Sequence, residues 1–360
     1  MPAPPASPND VADDALPAAL LDFLRSNADE TDRLNRWPGE QLRRCAEAGV
    51  TRWFAPPELG GVVVAQADVL RRLTHLAAAC LTTTFCLTQP TGVIGRFAAC
   101  DNDELKATLI PELLSGRRYA SVGIAHLTTS RRHTQPVMTA RETGDGYILD
   151  GVIPWSTGAQ HSAWIVTGAV LADGRQLLAA LPTDLPGVTV EPPADMVGLS
   201  ATCTGAVRCD GVLLDRRWLM APVMSDVLKF GKGAGTGGLQ TSALALGTAL
   251  AAINFLHDEA GRRPDLARIV AGLREQWNTA DAELAALAEG QTVSTSDQLR
   301  RRANELALRS AQAALAAAKG SGYVVGHPAG RWCREALFFL VWSCPEPVTS
   351  ATLCELAKIE

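Results

Sequence analysis

The spacing of hydrophobic residues changes twice along this chain of 360 residues. Over residues 15–28 and 67–85, apolar residues recur every three or four positions, which is the period of an amphipathic helix. From Ser121 the hydrophobic runs become short and β-rich, with Gly, Asp and Pro between them, which predicts a compact antiparallel sheet. From Gly238 onward, long segments rich in Ala and Leu return and predict tightly packed antiparallel helices.

These changes of pattern predict an α+β protein with three domains. We expect a helical domain over residues 1–118, a β-sheet domain over 119–222 and a helical bundle over 223–360. Within the bundle, the Thr-Ser-Asp sequence at 295–297 is an N-cap signal for the last of the long helices, and Gly320 is the expected stop.

Composition and charge narrow the classes of function. Hydrophobic residues make up 47% of the chain and charged residues 20%, as in ordinary globular proteins. Acidic residues outnumber basic ones by 38 to 33, and the basic residues are dispersed, which argues against nucleic-acid binding. The nine cysteines show no CxxC spacing, so we expect neither a metal site nor a redox pair.

The N-terminal sequence, the lengths of the apolar runs and the cysteines indicate the cellular compartment of the protein. The first residues contain prolines but lack the basic start and apolar core of a secretion signal. We recognise no uncharged apolar run of bilayer-spanning length. Reduced, mostly buried thiols are typical of intracellular proteins. We therefore expect a cytoplasmic protein without membrane insertion.

An aromatic residue and two hydroxyl residues stand side by side between two strand-like runs. They are Trp155, Ser156 and Thr157. Two interpretations are open at this point. The Trp ring could pack in the core beside two ordinary strand hydroxyls, or the three side chains could form the wall of a ligand site.

Five fragments, in this order, resemble the acyl-CoA dehydrogenase superfamily over nearly the whole chain. They are AEAGVTRWFAPPELGG, DELKATLIPELLSGRRYASVGIA, GDGYILDGVIPWSTGAQHSAWIVTGA, GLSATCTGAVRCDGVLLDRRWLM and GSGYVVGHPAGRWCREALFF. Each fragment alone is a weak signal, whereas their order and spacing are specific. The resemblance implies an acyl-CoA dehydrogenase-like fold, with an N-terminal helical domain, a middle β-sheet domain and a C-terminal four-helix bundle. It also implies bound FAD and assembly as a homodimer or homotetramer.

The resemblance gives the Trp-Ser-Thr sequence a role. In this family the Trp position packs on the isoalloxazine ring, and the hydroxyl positions that follow bond the polar edge of the ring. These roles are thereby implied for Trp155, Ser156 and Thr157. The physical chemistry agrees, because a flavin needs an apolar surface to stack on and a few donors that tune its electronics.

Two further segments correspond to cofactor loops of the family. The turn with Gly320, Gly322 and Tyr323 resembles the one whose backbone amides approach the ADP part of the cofactor; a plain helix C-cap is the alternative. The loop over 125–133 is more basic than the family pattern, so it is either a solvent-facing loop or an anionic-ligand site. His126 in this loop is the best histidine candidate for acid–base catalysis.

The residue that normally acts as base is missing. Alignment to the family motifs puts Ser343 at the usual Glu position and Gln240 at the alternative one. Neither side chain can abstract an acidified α-proton unaided. We keep Ser343 as a catalytic candidate because of its position. Glu346 lies nearby, but Pro345 and Pro347 predict that the helix ends there, leaving Glu346 in a solvated loop.

Three functional hypotheses remain. The first is a flavin oxidoreductase that uses FAD and a non-standard base and acts on an acyl thioester or a related small molecule. The second is a flavin-dependent monooxygenase of the same fold, which would use reduced flavin, FMN in that case, and O₂. The third is a degenerate, non-catalytic member of the family that serves as a subunit.

Overall fold

The computed structural model describes residues 16–127, 137–230, 238–342 and 344–359. Its first part is helical, as the hydrophobic period predicts. The α-helices described there are α1 (Ala18–Arg33), α2 (Gly39–Glu47), α3 (Gln66–Ala79), α4 (Leu81–Ala98) and α5 (Asp103–Leu114).

A proline inside α4 connects these helices to the sheet. Pro90 has no N–H group, so the carbonyl of Cys86 loses its helical hydrogen bond. The hydroxyl of Tyr119 donates to that carbonyl at 2.9 Å. Tyr119 is the first residue of the first strand, so this bond fixes the start of the sheet against α4.

The middle of the chain forms a curled sheet of seven described strands. They are β1 (Tyr119–Gly123), β2 (Met138–Glu142), β3 (Gly146–Ser156), β4 (Ser162–Leu171), β5 (Gln176–Pro182), β6 (Val188–Val190) and β7 (Gly205–Asp215). The order is β1-β4-β2-β3-β7-β6, and β5 pairs with β4.

The expectation of an antiparallel sheet was wrong for part of this domain. β4 runs parallel to both β1 and β2, whereas β2–β3, β3–β7, β4–β5 and β6–β7 are antiparallel. Alternation of apolar and polar residues indicates a half-buried strand but not the direction of its neighbours. An antiparallel pair joined by a short turn can be predicted from neighbouring residues, whereas the partner of a parallel strand lies further away in the sequence because the connection is longer.

The last part of the chain is again helical. The helices described there are α6 (Leu239–Ala260), α7 (Ala267–Ala288), α8 (Ser296–Gly322), α9 (Pro328–Leu337) and α10 (Glu346–Ala357). Thr295 caps α8 in a reciprocal capping box with Gln298, as the Thr-Ser-Asp signal predicts. Helices, sheet and helical bundle follow in the order of an acyl-CoA dehydrogenase-like fold, so the predicted fold class is confirmed.

Helix α6 lies in the core between α3, α7 and α8. A Cβ atom on Gly247 would lie 2.4 Å from the carbonyl oxygen of Thr74, so only glycine permits this approach of α6 to α3. Contrary to the expectation from the sequence, α6 has the length and mean hydropathy (1.4) of a membrane span. Of its most apolar window, 78% is buried inside the protein, as in a core helix.

Helix α10 corrects another expectation. Pro345 and Pro347 do not end a helix; Pro345 is the N-cap of α10, and Glu346 and Pro347 open its first turn. Proline is favoured there because the first N–H groups of a helix have no intrahelical acceptor. Glu346 is exposed, as predicted for a solvated acid.

Candidate functional site

Trp155 and Ser156 lie at the end of β3 and differ sharply in burial. The side chain of Trp155 is 51% exposed, whereas Ser156 is fully buried. The register of the β3–β7 pair shifts between Ile153 and Ser156, as at a β-bulge, which redirects side chains at the end of the strand. The burial of each side chain places the Trp155 ring at the surface and the Ser156 hydroxyl in the interior. Among the described residues that hydroxyl finds no hydrogen-bond partner. Trp155 is therefore not a core aromatic residue, and Ser156 does not share its face.

Thr157 opens the turn after β3 and contacts a second turn from elsewhere in the chain. The hydroxyl of Thr204 donates to the hydroxyl of Thr157 at 3.3 Å, and the hydroxyls of Thr202 and Thr204 lie 2.8 Å apart. The N–H group of Gly158 donates to the carbonyl of Thr202 at 2.9 Å. These bonds hold the two turns together beside Trp155.

The second turn, a 3-10 turn over Ser200–Thr202, has a strained backbone at both ends. Leu199 and Cys203 have φ angles of +62° and +47°, in the left-handed region that non-glycine residues rarely adopt. Such conformations persist where the surroundings enforce them, and they cluster at functional sites. This segment lies within one of the family-like fragments, but no local sequence pattern marks Thr202 or Thr204 as site residues.

Three histidines lie in different surroundings. Nε2 of His126 lies 2.8 Å from the carbonyl oxygen of Gly168 in β4; a carbonyl only accepts, so Nε2 is the donor. The ring of His161 stacks on Trp37, with centroids 4.4 Å apart, and burial lowers its pKa. Nδ1 of His327 accepts the N–H of Ala329 at 3.1 Å and caps α9. His126 stays our prediction for acid–base catalysis.

The turn at the end of α8 combines tight packing with an exposed apolar surface. The helix breaks at Lys319, where φ is +55°. A Cβ atom on Gly322 would lie 2.7 Å from Cβ of Ala318, so this glycine is needed for packing. Around Gly320 nothing lies within 4 Å of such an atom. Tyr323 is 86% exposed, so the turn presents a large aromatic side chain at the surface.

The candidate Ser343 lies outside the described residues, but its neighbour Trp342 is held firmly. The Trp342 ring packs against Phe85 of α4 and Phe338, with centroid distances of 4.9 Å and 5.3 Å. The carbonyl of Trp342 accepts from Nη2 of Arg300 at 2.6 Å. Arg300 is only 2% exposed, and burial lowers its pKa to about 10.

Gln240 and Glu335 lie in surroundings that do not suit a catalytic base. Gln240 lies half-buried in the first turn of α6. Glu335, in α9, is fully buried and bonds to Arg331 at 3.1 Å and Thr82 at 3.4 Å. Burial raises the pKa of Glu335, while the charge of Arg331 opposes this shift. An acid engaged in this way holds α9 against α4 and is not free to take up a substrate proton.

The described residues contain no group of three or more His, Cys, Asp or Glu side chains that could hold a metal ion. The chemical groups at the end of β3 are therefore an aromatic surface, hydroxyls and backbone amides. Such groups can stack on a flat ring and donate hydrogen bonds to its edge.

Comparisons with known proteins agree with this architecture. Residues 14–117 match the family model "Acyl-CoA dehydrogenase, N-terminal domain". The probable acyl-CoA dehydrogenase YngJ of Bacillus subtilis (strain 168) is 23% identical over 87% of this chain and 88% of its own length. HsaA of Rhodococcus jostii (strain RHA1), the oxygenase subunit of a flavin-dependent monooxygenase, is 26% identical over 44% of this chain and 38% of its own length.

A solved structure extends the similarity to the fold. The glutaryl-coenzyme A dehydrogenase complex with glutaryl-CoA superimposes with a TM-score of 0.79, covering 94% of this chain and 93% of that one, at 18% identity. The N-terminal match, the relative aligned over most of both chains and the shared architecture point to the same conclusion. Together they support the assignment of this chain to the acyl-CoA dehydrogenase superfamily.

Proposed function

We propose that the protein is a flavin-dependent oxidoreductase that acts on an acyl thioester or a related substrate with a non-standard base. The observation that carries this proposal is the half-exposed Trp155 ring at the end of β3, beside the hydroxyl-bearing turn. A large aromatic side chain exposed in this way, next to fixed donors, suits a flat ligand.

The residues present fit a flavin. Trp155 would lie against the isoalloxazine ring, and Thr157 would donate to its polar edge. Ser156 faces inward, so its contribution would come from its backbone rather than from its hydroxyl. The exposed turn with Gly320 and Tyr323 would receive the ADP part of FAD. When bound, the flavin supplies the hydride acceptor of the reaction.

His126 and Ser343 are the catalytic residues of this proposal. A serine hydroxyl is a very weak base near neutral pH, so Ser343 would orient the substrate rather than remove its proton. His126 keeps its Nε2 hydrogen on the Gly168 carbonyl, which fixes the ring in one orientation. Its role would be to hold or move a proton at Nδ1.

The proposal is tested by the absorbance spectrum of the purified chain, followed by anaerobic addition of a saturated acyl-CoA. We expect bound FAD, with slow reduction, because loss of a general base typically costs about 10²–10⁴-fold in rate. The Ser343→Glu variant should be reduced faster than the unmodified chain if the thioester pocket is intact. Rapid dehydrogenation of the acyl-CoA by the unmodified chain would show that another residue is the base.

A monooxygenase is the second candidate, and a specific feature favours it. Ser rather than Glu occupies position 343, and the chain resembles HsaA over part of its length. In that case the purified protein should bind reduced FMN and consume O₂, while acyl-CoA should not reduce the bound flavin. A chain that binds neither FAD nor FMN would support the third hypothesis, a non-catalytic subunit.

A further inference from the structure

Three threonine hydroxyls form a chain beside Trp155. Thr202 is fully buried, Thr204 is 8% exposed and Thr157 is 6% exposed. Their oxygen atoms are separated by 2.8 Å between Thr202 and Thr204 and by 3.3 Å between Thr204 and Thr157. The chain runs from the interior of the 3-10 turn to the end of β3.

The donor directions follow from counting hydrogens. A threonine hydroxyl has one hydrogen to donate. Thr204 donates its hydrogen to Thr157, so in the other pair Thr202 must be the donor and Thr204 the acceptor. Thr157 thus accepts a hydrogen bond and still has its own hydrogen to donate. Within the described ranges no acceptor takes this hydrogen.

We propose that Thr202 and Thr204 are positioning residues that orient the Thr157 hydroxyl so that it donates to an acceptor atom of the ligand on Trp155. The inference rests on the proposed function, because it takes that ligand to be a flavin. Consecutive hydrogen bonds polarise one another, so the two buried hydroxyls also make Thr157 a stronger donor.

The backbone around the chain supports a positioning role. Leu199 and Cys203 flank the turn that carries Thr202, and their strained φ angles persist because the surrounding contacts enforce one conformation of this turn. The bond from the Gly158 N–H group to the Thr202 carbonyl joins this turn to the end of β3. The three hydroxyls are therefore fixed relative to the end of β3 before any ligand binds.

The test compares Thr204→Val, which keeps the shape but removes the donor, with Thr204→Ser, which restores a hydroxyl. Thr189→Val, on the exposed surface of β6, is the matched control. For each full-length variant, the Kd for FAD is measured by Trp fluorescence quenching, and the midpoint potential of the bound flavin by dye equilibration. Circular dichroism and thermal unfolding establish that each variant is folded.

We expect Thr204→Val to weaken FAD binding about tenfold, the value of one well-formed hydrogen bond. Its midpoint potential should fall, because a donor at the ring edge stabilises the reduced flavin. Thr204→Ser should recover most of both effects, and Thr189→Val should match the unmodified chain. If Thr204→Val does not fold, Thr202→Val provides the same comparison at the hydroxyl one step further from the ligand. Its Kd for FAD and its midpoint potential should change in the same directions but by less.

The outcomes separate this inference from the function on which it rests. If the unmodified chain binds FAD and Thr204→Val binds it equally well with an unchanged potential, the positioning role is wrong and the proposed function stands. The same conclusion holds if Thr204→Val loses only thermal stability, since a purely structural contact would give that result. If the unmodified chain binds no FAD at millimolar concentration, both proposals fail.

Discussion

At the scale of single residues, burial separates side chains that are adjacent in the sequence. Trp155 and Ser156 share a strand end but lie on opposite faces, with 51% and 0% of their surfaces exposed. The family resemblance implied that both side chains contact the cofactor. The structure leaves the Trp155 ring open to solvent, where the contact stays a prediction, and buries the Ser156 hydroxyl.

This difference gives a prediction for flavin binding. Trp155→Ala should weaken flavin binding by roughly tenfold or more, because it removes the stacking surface. Ser156→Ala and Ser343→Ala should have smaller effects, and Trp155→Phe should be intermediate because it keeps a ring. Flavin content after purification and Kd by titration measure the series. If Trp155→Ala and Ser156→Ala weakened flavin binding equally, the exposed position of the Trp155 ring and the inward position of the Ser156 hydroxyl would be contradicted.

Buried thiols give a prediction about alkaline pH. Cys45 in α2 is fully buried, and burial raises the pKa of its thiol from 9.0 to about 12. Between pH 9 and 12, the unfolded chain therefore loses this proton while the folded chain keeps it. The thiol thus lowers the free energy of unfolding as pH rises through that window, by at most about 1.4 kcal/mol per pH unit.

Replacing the thiol tests this sign. Cys45→Ala should be less stable than the unmodified chain at pH 8, because it leaves a small cavity. The difference in the free energy of unfolding, measured by urea titration, should shrink between pH 8 and pH 10.5. A difference that stays constant over this range would show that Cys45 titrates normally in the folded protein.

At the scale of elements, buried charges join helices that are far apart in the chain. Arg331 of α9 bonds to Glu335 one turn later and to Asp29 of α1 at 2.8 Å. Arg334 bonds to Asp32 of α1 at 3.0 Å. The first and ninth helices are thus held together by ion pairs whose Arg331, Glu335 and Asp32 side chains are almost completely buried.

Breaking this network should be costly. Glu335→Gln leaves the buried charge of Arg331 only partly compensated, so it should lower the free energy of unfolding by roughly 3 kcal/mol. Asp22→Asn removes the exposed ion pair between Asp22 and Arg25, and it should change the free energy of unfolding by less than about 0.5 kcal/mol. Urea unfolding measures both variants. Similar small effects for both would mean that the buried network contributes little.

At the scale of the whole molecule, the C-terminal helices leave apolar side chains exposed. On α10 and just after it, Leu353, Leu356 and Ile359 are 60%, 66% and 63% exposed. The turn after α8 adds Val324 and Val325, at 64% and 78%. The division into domains over 1–118, 119–222 and 223–360 remains our proposal. In that division, the exposed apolar side chains of α10 and of the turn after α8 all belong to the C-terminal domain.

This surface predicts self-association as a homodimer or homotetramer, because covering it removes apolar area from water. Light scattering at micromolar concentration should give a multiple of the 38.1 kDa chain mass. The double variant Leu353→Glu and Leu356→Glu should lower the mass without loss of helical circular dichroism. A strictly monomeric mass for the unmodified chain would exclude the prediction.

The sequence by itself determined the types and order of the elements and the resemblance to the acyl-CoA dehydrogenase superfamily. Hydrophobic period distinguishes helices from strands because each element buries one face, and this pattern is local. The capping signal at 295–297 marked the start of α8 because capping involves residues three positions apart. The position of Trp155 at a strand end was also readable, because the strand-like run and the residues after it are contiguous.

Only the tertiary structure decided which distant segments meet. The bond between Thr204 and Thr157 spans 47 residues. Strands β1 and β4 pair in parallel although β2 and β3 lie between them in the sequence. The stacking of His161 on Trp37 likewise joins the sheet domain to a segment far earlier in the chain. Local propensity does not encode these contacts, since they arise when packing of whole elements repays the entropy of closing long loops.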